Sequence, residues 1–344
     1  MPTTITKSIG TTGRDYSTLQ AWEDAMTANL VTADEAWVGE CHNDSEFTGA
    51  GNLLTIDGHT TDSTRTITLK CASGKSFRDN GSVQTNALRY NASNGVGIRM
   101  TGDYAITVIV NDDDVTLQGL QIKTDHATGT AALKVQDTRV RIVVDFCILH
   151  AGSSYIAQLS GTKARNCLFM DAATGNTSGV RIEGTGTTEI HNCTLARTSG
   201  TAGTSLGVDS RQYNSNALVR NTAVFGFGTA SGGLGTFDTT NSKNNASDLA
   251  SGLPGSTGNV YSLTFSSQFE NVSTATADLR AKSGGGILDV GFTDTTNGPN
   301  DIAGTARPSG SAYDIGCWEL VAAAGGLARQ RLINGGLVRG RLVA

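Results

Sequence analysis

Proline, charged residues and long apolar runs are all scarce in this sequence. Its 344 residues include 4 Pro, and Asp, Glu, Lys and Arg together make up 17% of the chain. No segment contains the roughly 18 consecutive apolar residues of a membrane-spanning helix, so membrane insertion is not expected. Residues 1–7 contain no apolar run either, and a secretory signal peptide requires one. We therefore expect a protein that is assembled in a cytoplasm.

The usual signatures of bound cofactors are also missing. The six cysteines, at positions 41, 71, 147, 167, 193 and 317, form no C-x-x-C pair, and the five histidines form no pair with metal-ligand spacing. There is no phosphate-binding loop and no serine nucleophile elbow. We expect no cofactor and no metal ion.

Glycine and small polar residues are abundant instead. The chain has 43 Gly, well above the usual share of about 7%, and Thr, Ser and Asn are frequent. This composition is typical of many short strands joined by turns. Charge is unevenly distributed along the chain. Residues 325–344 carry four Arg and no acidic residue, whereas the first 324 residues carry 22 basic and 31 acidic residues, a net charge of −9.

A strand-like phrase centred on Asn recurs through the middle of the chain. It occupies residues 165–169, 191–195 and 220–224, with weaker forms at 145–149, where Phe replaces Asn, and at 243–246. The steps between successive phrases are 20, 26, 29 and 23 residues. A period of roughly 20–50 residues is typical of a solenoid, in which each unit buries its apolar face only against its neighbours. Three short strands per step further predict a parallel β-helix.

The residues shared by these phrases are interpreted as structural. Asparagine tolerates a left-handed backbone, and its amide can bond to equivalent residues in the coils above and below. We therefore predict a corner ladder made of Asn166, Asn192, Asn221 and Asn244. Free cysteine is among the most buried residue types. Equivalent positions in three phrases thus predict a buried stack made of Cys147, Cys167 and Cys193.

The N-terminal part is predicted to cap the solenoid. Residues 1–40 contain a strand and then an amphipathic helix that is capped by Ser17 and extends from residue 18 to about residue 27. Such a helix would cover the open end of the stacked strands, which otherwise exposes unpaired edges.

Two further segments complete the division of the chain. Residues 41–320 are predicted to form the β-helix body. Within them, residues 251–320 lose the clear period and are interpreted as terminal coils or as a small separate cap. Residues 321–344 form a basic arm.

Two segments resemble a known family. Residues 13–22 look like the first turn and capping helix of right-handed parallel β-helix proteins of the pectin-lyase-like type, and residues 301–319 look like their closing segment. The resemblance covers roughly residues 5–320 and implies an all-β, right-handed parallel β-helix with an N-terminal capping helix and an extended C-terminal arm. It departs from the family at Cys317 and Trp318, where a small residue and Tyr are more typical. The same fold hosts lyases, hydrolases, adhesins and phage spikes.

The basic arm contains a ten-residue repeat, in which residues 335–344 resemble residues 325–334 position by position. Three interpretations are open: a nucleic-acid-binding tail, a solvated end, and a docking arm that adds strands to a neighbour. The regular repeat and its Leu, Ile and Val content favour docking, and nucleic acid is not an expected partner. The proposed docking residues are Leu327, Arg329, Arg331, Leu332, Leu337, Arg339, Arg341 and Leu342.

The hypothesis that we favour is a phage virion structural protein without enzymatic activity. It would be a capsid decoration protein or a tail spike, forming a homotrimer in the virion and attached to a capsid or tail protein through residues 321–344. The absent signal peptide, the absent catalytic signature and the repeated arm support it. A further resemblance, between the repeated arm and the C-terminal arms of some phage structural proteins, points the same way.

Two alternatives use the same fold. One is a polysaccharide lyase or glycosidase, with candidate residues Asp112, Asp114, His126 and Arg141 in a groove on the parallel sheet. The acidic cluster at 111–114 is also consistent with a Ca²⁺ site or with a plain solvated turn. The other alternative is an adhesin that binds a surface glycan without cleaving it. A basic stripe or a set of solvated residues is predicted from Arg139, Arg141, Arg165, Arg181 and Arg220.

Overall fold

A computed structural model describes residues 1–103, 105–125, 131–152, 155–172, 178–199, 203–212 and 214–321. The docking residues predicted in the arm, and His126, lie outside this part of the chain. The body is built from three parallel sheets of nine, eight and seven strands, and the chain visits the first, second and third sheet once in every coil.

The strands of each sheet follow the chain at regular intervals. The first sheet contains β1 (Thr3–Ile9), β2 (Glu35–Cys41), β5 (Ile67–Cys71), β8 (Val115–Gln118), β11 (Ile142–Asp145), β14 (Thr162–Arg165), β17 (Thr187–His191), β20 (Asn216–Arg220) and β23 (Thr236–Phe237). The second contains β3 (Phe47–Gly49), β6 (Gly97–Met100), β9 (Gln121–Thr124), β12 (Ile148–Ala151), β15 (Leu168–Asp171), β18 (Thr194–Arg197), β21 (Ala223–Phe225) and β24 (Ala246–Ser247). The third contains β4 (Leu54–Ile56), β7 (Val108–Val110), β10 (Leu133–Val135), β13 (Tyr155–Leu159), β16 (Ser178–Ile182), β19 (Leu206–Ser210) and β22 (Thr229–Gly233).

The register of these strands explains the core. Trp37 pairs with Ile67, which pairs with Val115 on the next coil, and all three side chains point inward and are buried. Alternate residues point outward, as the pleat of a strand requires. Every coil therefore repeats the same inside and outside positions. The architecture is a right-handed parallel β-helix, and the predicted fold class is confirmed.

The N-terminal end differs in detail from the prediction. The helix α1 (Leu19–Asp24) is capped by Thr18 and not by Ser17, because the Thr18 hydroxyl accepts from the N–H of Ala21 at 3.1 Å. It ends at Asp24, and a second short helix, α2 (Leu30–Ala33), follows. Both β1 and β2 already belong to the first sheet, so strand stacking begins inside the stretch predicted as a cap. None of the helices in the described ranges is long and apolar enough to span a bilayer.

After the last partial coil, the chain folds back along the rod. Residues up to Val260 form a last partial coil, with bridges from Lys243 to Thr257 and from Ala246 to Val260. The chain then continues through α3 (Phe265–Gln268) and the antiparallel pair β25 (Phe269–Asn271) and β26 (Asp278–Ala281). We call residues 264–320 the returning segment. It is neither a terminal coil nor a separate cap.

The returning segment covers the outer face of the second sheet. Outward side chains of that sheet, such as Leu168, Met170 and Phe225, form a second apolar core with Phe269 and Ile315. The rings of Phe225 and Phe269 meet edge to face with centroids 5.5 Å apart. An exposed apolar sheet face of this size would favour aggregation or association. The sequence did not predict this second core.

Candidate functional site

Among the described candidates for catalysis, Asp114 and Arg141 lie together, whereas Asp112 belongs to a separate hydrogen-bond network. Asp112 is 6% exposed and accepts hydrogen bonds from the N–H groups of Gly58 and His59 at 3.0 and 3.1 Å. Its Oδ2 also lies 2.9 Å from Nδ1 of His59, which in turn lies 3.6 Å from Glu23 of α1. Asp112 therefore fixes a corner of the rod to the capping helix.

Asp114 and Arg141 do meet, but as a structural pair. Asp114 is 3% exposed and has a left-handed backbone with φ of 55°. Arg141 donates to both of its carboxylate oxygens, from Nε and, at 2.8 Å, from Nη2. The hydroxyl of Thr61 donates to the same carboxylate at 3.1 Å. These contacts occupy the carboxylate and leave it little capacity for chemistry. His126 lies outside the described residues.

Arg141 also borders a shallow depression on the first sheet. Its volume is about 390 Å³, and its charged residues include Lys163 and Glu189, whose Nζ and Oε2 are 3.1 Å apart. Glu189 also contacts His191 at 2.9 Å, and this hydrogen bond lowers the pKa of Glu189 to about 2. The charges in this depression compensate one another, so it offers no free charged group to a ligand.

The arginines of the predicted basic stripe are held by ion pairs and hydrogen bonds within the body. Arg165 donates to Asp145 at 2.8 Å, and Arg181 pairs with Glu183. Arg139 and Arg220 donate to backbone carbonyl groups, at 2.8 and 2.7 Å. These arginines mostly link one coil to the next.

The predicted ladder and stack occupy one column of corners. Asn166, Asn192, Asn221 and Asn244 have φ between 48° and 52°. The predicted hydrogen bond between side-chain amides of neighbouring coils is donated by Asn221 to Oδ1 of Asn192, at 3.0 Å. The side chains also donate to carbonyl groups of the returning segment, as Asn244 does to Val290 at 2.9 Å. The stack residues Cys147, Cys167 and Cys193 are free and fully buried beside the column.

The third sheet carries an outward row of polar side chains that sequence reasoning missed. Gln158 of β13, Arg181 of β16 and Asp209 of β19 occupy the same register position on three successive coils. They form what we call the third-sheet cluster, which consists of Tyr155, Gln158, Ser178, Arg181, Glu183 and Asp209.

Hydrogen bonds connect one half of the third-sheet cluster. Gln158 donates to Oε2 of Glu183 at 2.7 Å, while Arg181 pairs with Oε1 of the same carboxylate. The hydroxyl of Tyr155 donates to the side-chain Oε1 of Gln158 at 3.2 Å. The Arg181 guanidinium lies 5.3 Å from the centroid of the Tyr155 ring, which is within the range of a cation–π contact. Burial raises the pKa of Tyr155, which keeps its hydroxyl available as a donor.

The other half of the third-sheet cluster is only partly satisfied. Asp209 is 2% exposed, and its Oδ2 accepts from the hydroxyl of Ser178 at 3.1 Å. Its Oδ1 and the Nε of Arg181 are buried, and neither has a hydrogen-bond partner in the described part of the chain. Arg211, with a side chain 56% exposed, lies 3.8 Å from Asp209 at the solvent edge. A buried acceptor without a donor is unfavourable.

Only the register of the strands brings these residues together. Gln158, Arg181 and Asp209 are 23 and 28 positions apart, and no local motif joins them. Arg181 alone drew attention in the sequence, as part of the basic stripe. The sequence offers no fixed spacing that would find them, because Arg181 lies 15 residues after Asn166 and Asp209 lies 17 residues after Asn192.

Among the described residues, no group of three His, Cys, Asp or Glu side chains could hold a metal ion. The chemistry available at the third-sheet cluster is therefore that of two carboxylates, a guanidinium, an amide, a phenol and a serine hydroxyl.

Comparisons with known proteins concern the fold. No protein-family model and no curated protein sequence matches the chain. Among solved structures, pectate lyase Pel9A has a TM-score of 0.43 and 11% identity, over 87% of this chain and 90% of the lyase. The pectin methylesterase from Aspergillus niger has a TM-score of 0.42 and 12% identity, over 85% of this chain and 92% of the esterase. The parallel β-helix architecture itself is established by the three parallel sheets of this chain.

Proposed function

We propose that this protein binds a polysaccharide across the outer face of its third sheet and cleaves it at the third-sheet cluster. The observation that carries the proposal is the row of Gln158, Arg181 and Asp209, in which a buried carboxylate oxygen remains without a donor. Functional sites are recognised by convergent polar groups of this kind rather than by the fold that carries them.

A polysaccharide matches the geometry of this face. Successive coils place equivalent side chains about 4.8 Å apart, so the face offers repeating contacts to a repeating polymer. The groups on it suit sugars, because amide, guanidinium and carboxylate groups all bond to hydroxyls, and the Tyr155 ring supplies an apolar surface. The second sheet cannot serve in this way, since the returning segment covers it.

Glu183 and Asp209 supply the two carboxyl groups that cleavage of a glycosidic bond requires. One protonates the leaving oxygen as the bond from the anomeric carbon breaks, and the other assists the attack of water or forms the covalent intermediate. Arg181 is opposite Asp209 in the strand register and positions Glu183 through their ion pair.

The test uses the full chain and a panel of neutral and acidic bacterial surface polysaccharides. We expect new reducing ends to form with at least one of them. Asp209→Asn and Glu183→Gln should each lower the rate by roughly 100-fold or more while binding is kept. The matched control is Glu189→Gln on the first sheet, which should leave the rate unchanged. Binding without any product would overturn the cleavage step and support an adhesin, and absence of binding would overturn the proposal.

A second candidate is the phage virion structural protein, as a capsid decoration protein or a spike. The observation that favours it is the ten-residue basic repeat of residues 325–344, which suits attachment rather than catalysis. Deletion of residues 321–344 should prevent incorporation into the particle. Full incorporation of the truncated chain would contradict attachment through the arm, and absence of the full-length chain from the particle would contradict the virion candidate. Neither result bears on the polysaccharide proposal.

A further inference from the structure

The corner column that carries the Asn ladder changes character in its earlier coils. Strand register aligns the ladder position with Phe146 and, one coil earlier, with Gly119, which have φ of 53° and 72°. A cavity of about 150 Å³ opens between the corner at Gly119 and the loop that follows β5. Glycine therefore leaves space at a position where the later coils carry a side chain.

Polar groups line this space, which we call the corner cavity. Its lining consists of Lys70, Cys71, Ser76, Arg78, Asp79, Gln118 and Gly119. The thiol of Cys71 and the hydroxyl of Ser76 both donate to the carbonyl of Gly119, each at 3.0 Å. Both lone pairs of that carbonyl are thereby occupied, so the corner itself offers no acceptor to a ligand.

Arg78 is the cation in the corner cavity that has no partner. Its side chain forms no hydrogen bond and no ion pair with any residue that the structure describes, and its Nε is buried. The guanidinium lies over the ring of Phe146, with Cζ 3.6 Å from the ring centroid. Such a contact uses the face of the guanidinium and leaves the N–H donors at its edges free. Burial lowers the pKa of Arg78, as expected for a charge that its surroundings do not compensate.

The carboxylates nearest to Arg78 are engaged elsewhere. Asp145 accepts from Arg165 at 2.8 Å. Asp301 accepts from two backbone N–H groups of the returning segment, at 2.9 and 2.6 Å. Asp79 is exposed to solvent, and its Oδ2 accepts from a backbone N–H of its own turn at 3.3 Å. Buried charges are normally paired, and none of these groups pairs with Arg78.

Two further donors line the same cavity. Nζ of Lys70 lies 3.1 Å from Oε1 of Glu40, a contact that uses one of its three N–H groups. The side-chain amide of Gln118 forms no hydrogen bond within the described ranges. The cavity therefore combines the fork of Arg78 with an ammonium and an amide, a donor set that suits a group with several anionic oxygens.

We propose that the corner cavity binds one oxyanion group, a sulfate or a phosphate, against Arg78. The planar fork of arginine matches the oxygens of such groups. The volume is sufficient, because a water molecule occupies about 30 Å³ in the liquid and the cavity has room for several. The group is either a free ion or an ester on a sugar. The cavity lies at the corner between the first and second sheets, so this inference does not depend on the polysaccharide site on the third.

Equilibrium dialysis of the full chain against inorganic sulfate, and separately against inorganic phosphate, tests the proposal. Sodium chloride keeps the ionic strength constant. We expect saturable binding of one ion per chain. Arg78→Gln should weaken it roughly 10-fold or more, because it removes the charged donors. The matched control is Arg89→Gln in the same loop, since Arg89 already donates to the carbonyl of Ala275 at 2.8 Å, and its binding should equal that of the wild type.

A second variant fills the cavity and keeps the charge. Gly119→Asn supplies the residue of the later corners, and asparagine tolerates the positive φ of 72°. Its Cβ would lie 3.1 Å from Oγ of Ser76, so the side chain would extend into the cavity. Binding should fall by a factor similar to that of Arg78→Gln, while circular dichroism verifies that both variants are folded.

The source of the oxyanion is identified with galactose 6-sulfate, with galactose as its uncharged control. Tighter binding of the ester than of inorganic sulfate would assign the cavity to a sugar ester, and equal or weaker binding would assign it to the free ion. Absence of saturable binding of either ion and of the ester to the wild type would overturn the proposal. So would binding that Arg78→Gln and Gly119→Asn both retain, because the ion would then lie elsewhere. Cleavage of polysaccharides is measured separately, with the variants of Glu183 and Asp209.

Discussion

Asn221 and Phe292 pair through a side chain and a backbone. The Asn221 amide donates to the Phe292 carbonyl at 2.6 Å, and its Oδ1 accepts from the Phe292 N–H at the same distance. The two residues are 71 positions apart. The side-chain amide of Asn221 therefore bonds to both backbone groups of Phe292, as a neighbouring strand would, and holds the returning segment. The residue that turns the chain at this coil also binds the returning segment.

Replacing Asn221 separates these two roles. Asn221→Gly keeps the left-handed backbone, which glycine adopts freely, but removes three side-chain hydrogen bonds, two to Phe292 and one to Asn192. We expect a loss of about 1–3 kcal/mol in the free energy of unfolding and faster amide exchange around residue 292. Asn221→Ala should cost more, because alanine also resists the positive φ of 48°. Equal stability of the glycine variant and the wild type, measured by urea unfolding, would show that these three bonds together contribute nothing.

The buried cysteine stack should tolerate a serine or threonine hydroxyl in place of a thiol. Cys193 directs its thiol towards the carbonyls of His191 and Ala164 at 3.2 and 3.7 Å. At the equivalent position of the next coil, the Thr222 hydroxyl donates to Arg220 and Ile190 at 2.9 and 3.3 Å.

Cys193→Ser is therefore expected to keep these hydrogen bonds and to lower the free energy of unfolding by less than about 1 kcal/mol. Cys193→Ala should lower it by more, because it leaves a small cavity. Chemical denaturation of both variants decides the matter, and a serine variant less stable than the alanine variant would contradict it.

The contact between the capping helix and the body should depend on pH. The hydrogen bond to Asp112 raises the pKa of His59 above its usual value of 6.5. A raised folded pKa gives stability that is fully present below about 6.5 and is lost as pH rises through the folded value. The stability difference between the wild type and His59→Gln should therefore be largest near pH 5–6 and should shrink at alkaline pH.

His42 provides a control of opposite sign. Burial lowers the pKa of His42, so its contribution is lost as pH falls through the unfolded value towards the folded one. Urea unfolding at several pH values should give opposite slopes for His42→Gln and His59→Gln. Parallel slopes would refute the assignment.

Gly298 lies where the returning segment passes closest to the corner column. A Cβ at this position would lie 2.1 Å from Nδ2 of Asn192. We expect Gly298→Ala to displace the segment and to lower the free energy of unfolding by about 1–3 kcal/mol. Gly51 is the matched control, since a Cβ there meets nothing within 4 Å. The melting temperatures of the two variants should differ by several degrees. Equal melting temperatures would show that the returning segment accommodates the added methyl group without loss of stability.

The sequence predicted the local rules of this fold and missed the contacts between distant parts. The Asn phrase predicted the coils because each phrase carries its own turn chemistry and its own buried residue, as Asn192 and Cys193 do. The returning segment has no such repeat. Its partners are outward residues such as Leu168 and Phe225, whose burial depends on a chain segment far along the sequence. The loss of period after residue 250 was visible, but not its physical meaning.

The candidate site shows the same limit. Asp112 and Asp114 stood out because they are adjacent in sequence, and such clusters are most often turns. Asp209 had no acidic neighbour to mark it. Its environment depends on which residue of β16 lies opposite, and a shift of register by one residue would direct it into the core.

The returning segment also determines how the chain can fold. The N–H of Leu88 donates to Asp278 at 3.0 Å, and Arg280 donates to the carbonyl of Gln84 at 2.5 Å, contacts 190 and 196 positions apart. A simple solenoid can grow coil by coil during synthesis, because each coil needs only the one before it. Here the apolar outer face of the second sheet stays exposed until the returning segment has left the ribosome. Forming contacts between residues so far apart in sequence is slow. Completion of the chain is therefore a folding checkpoint, and a prematurely terminated product would be an aggregating species rather than a shorter rod.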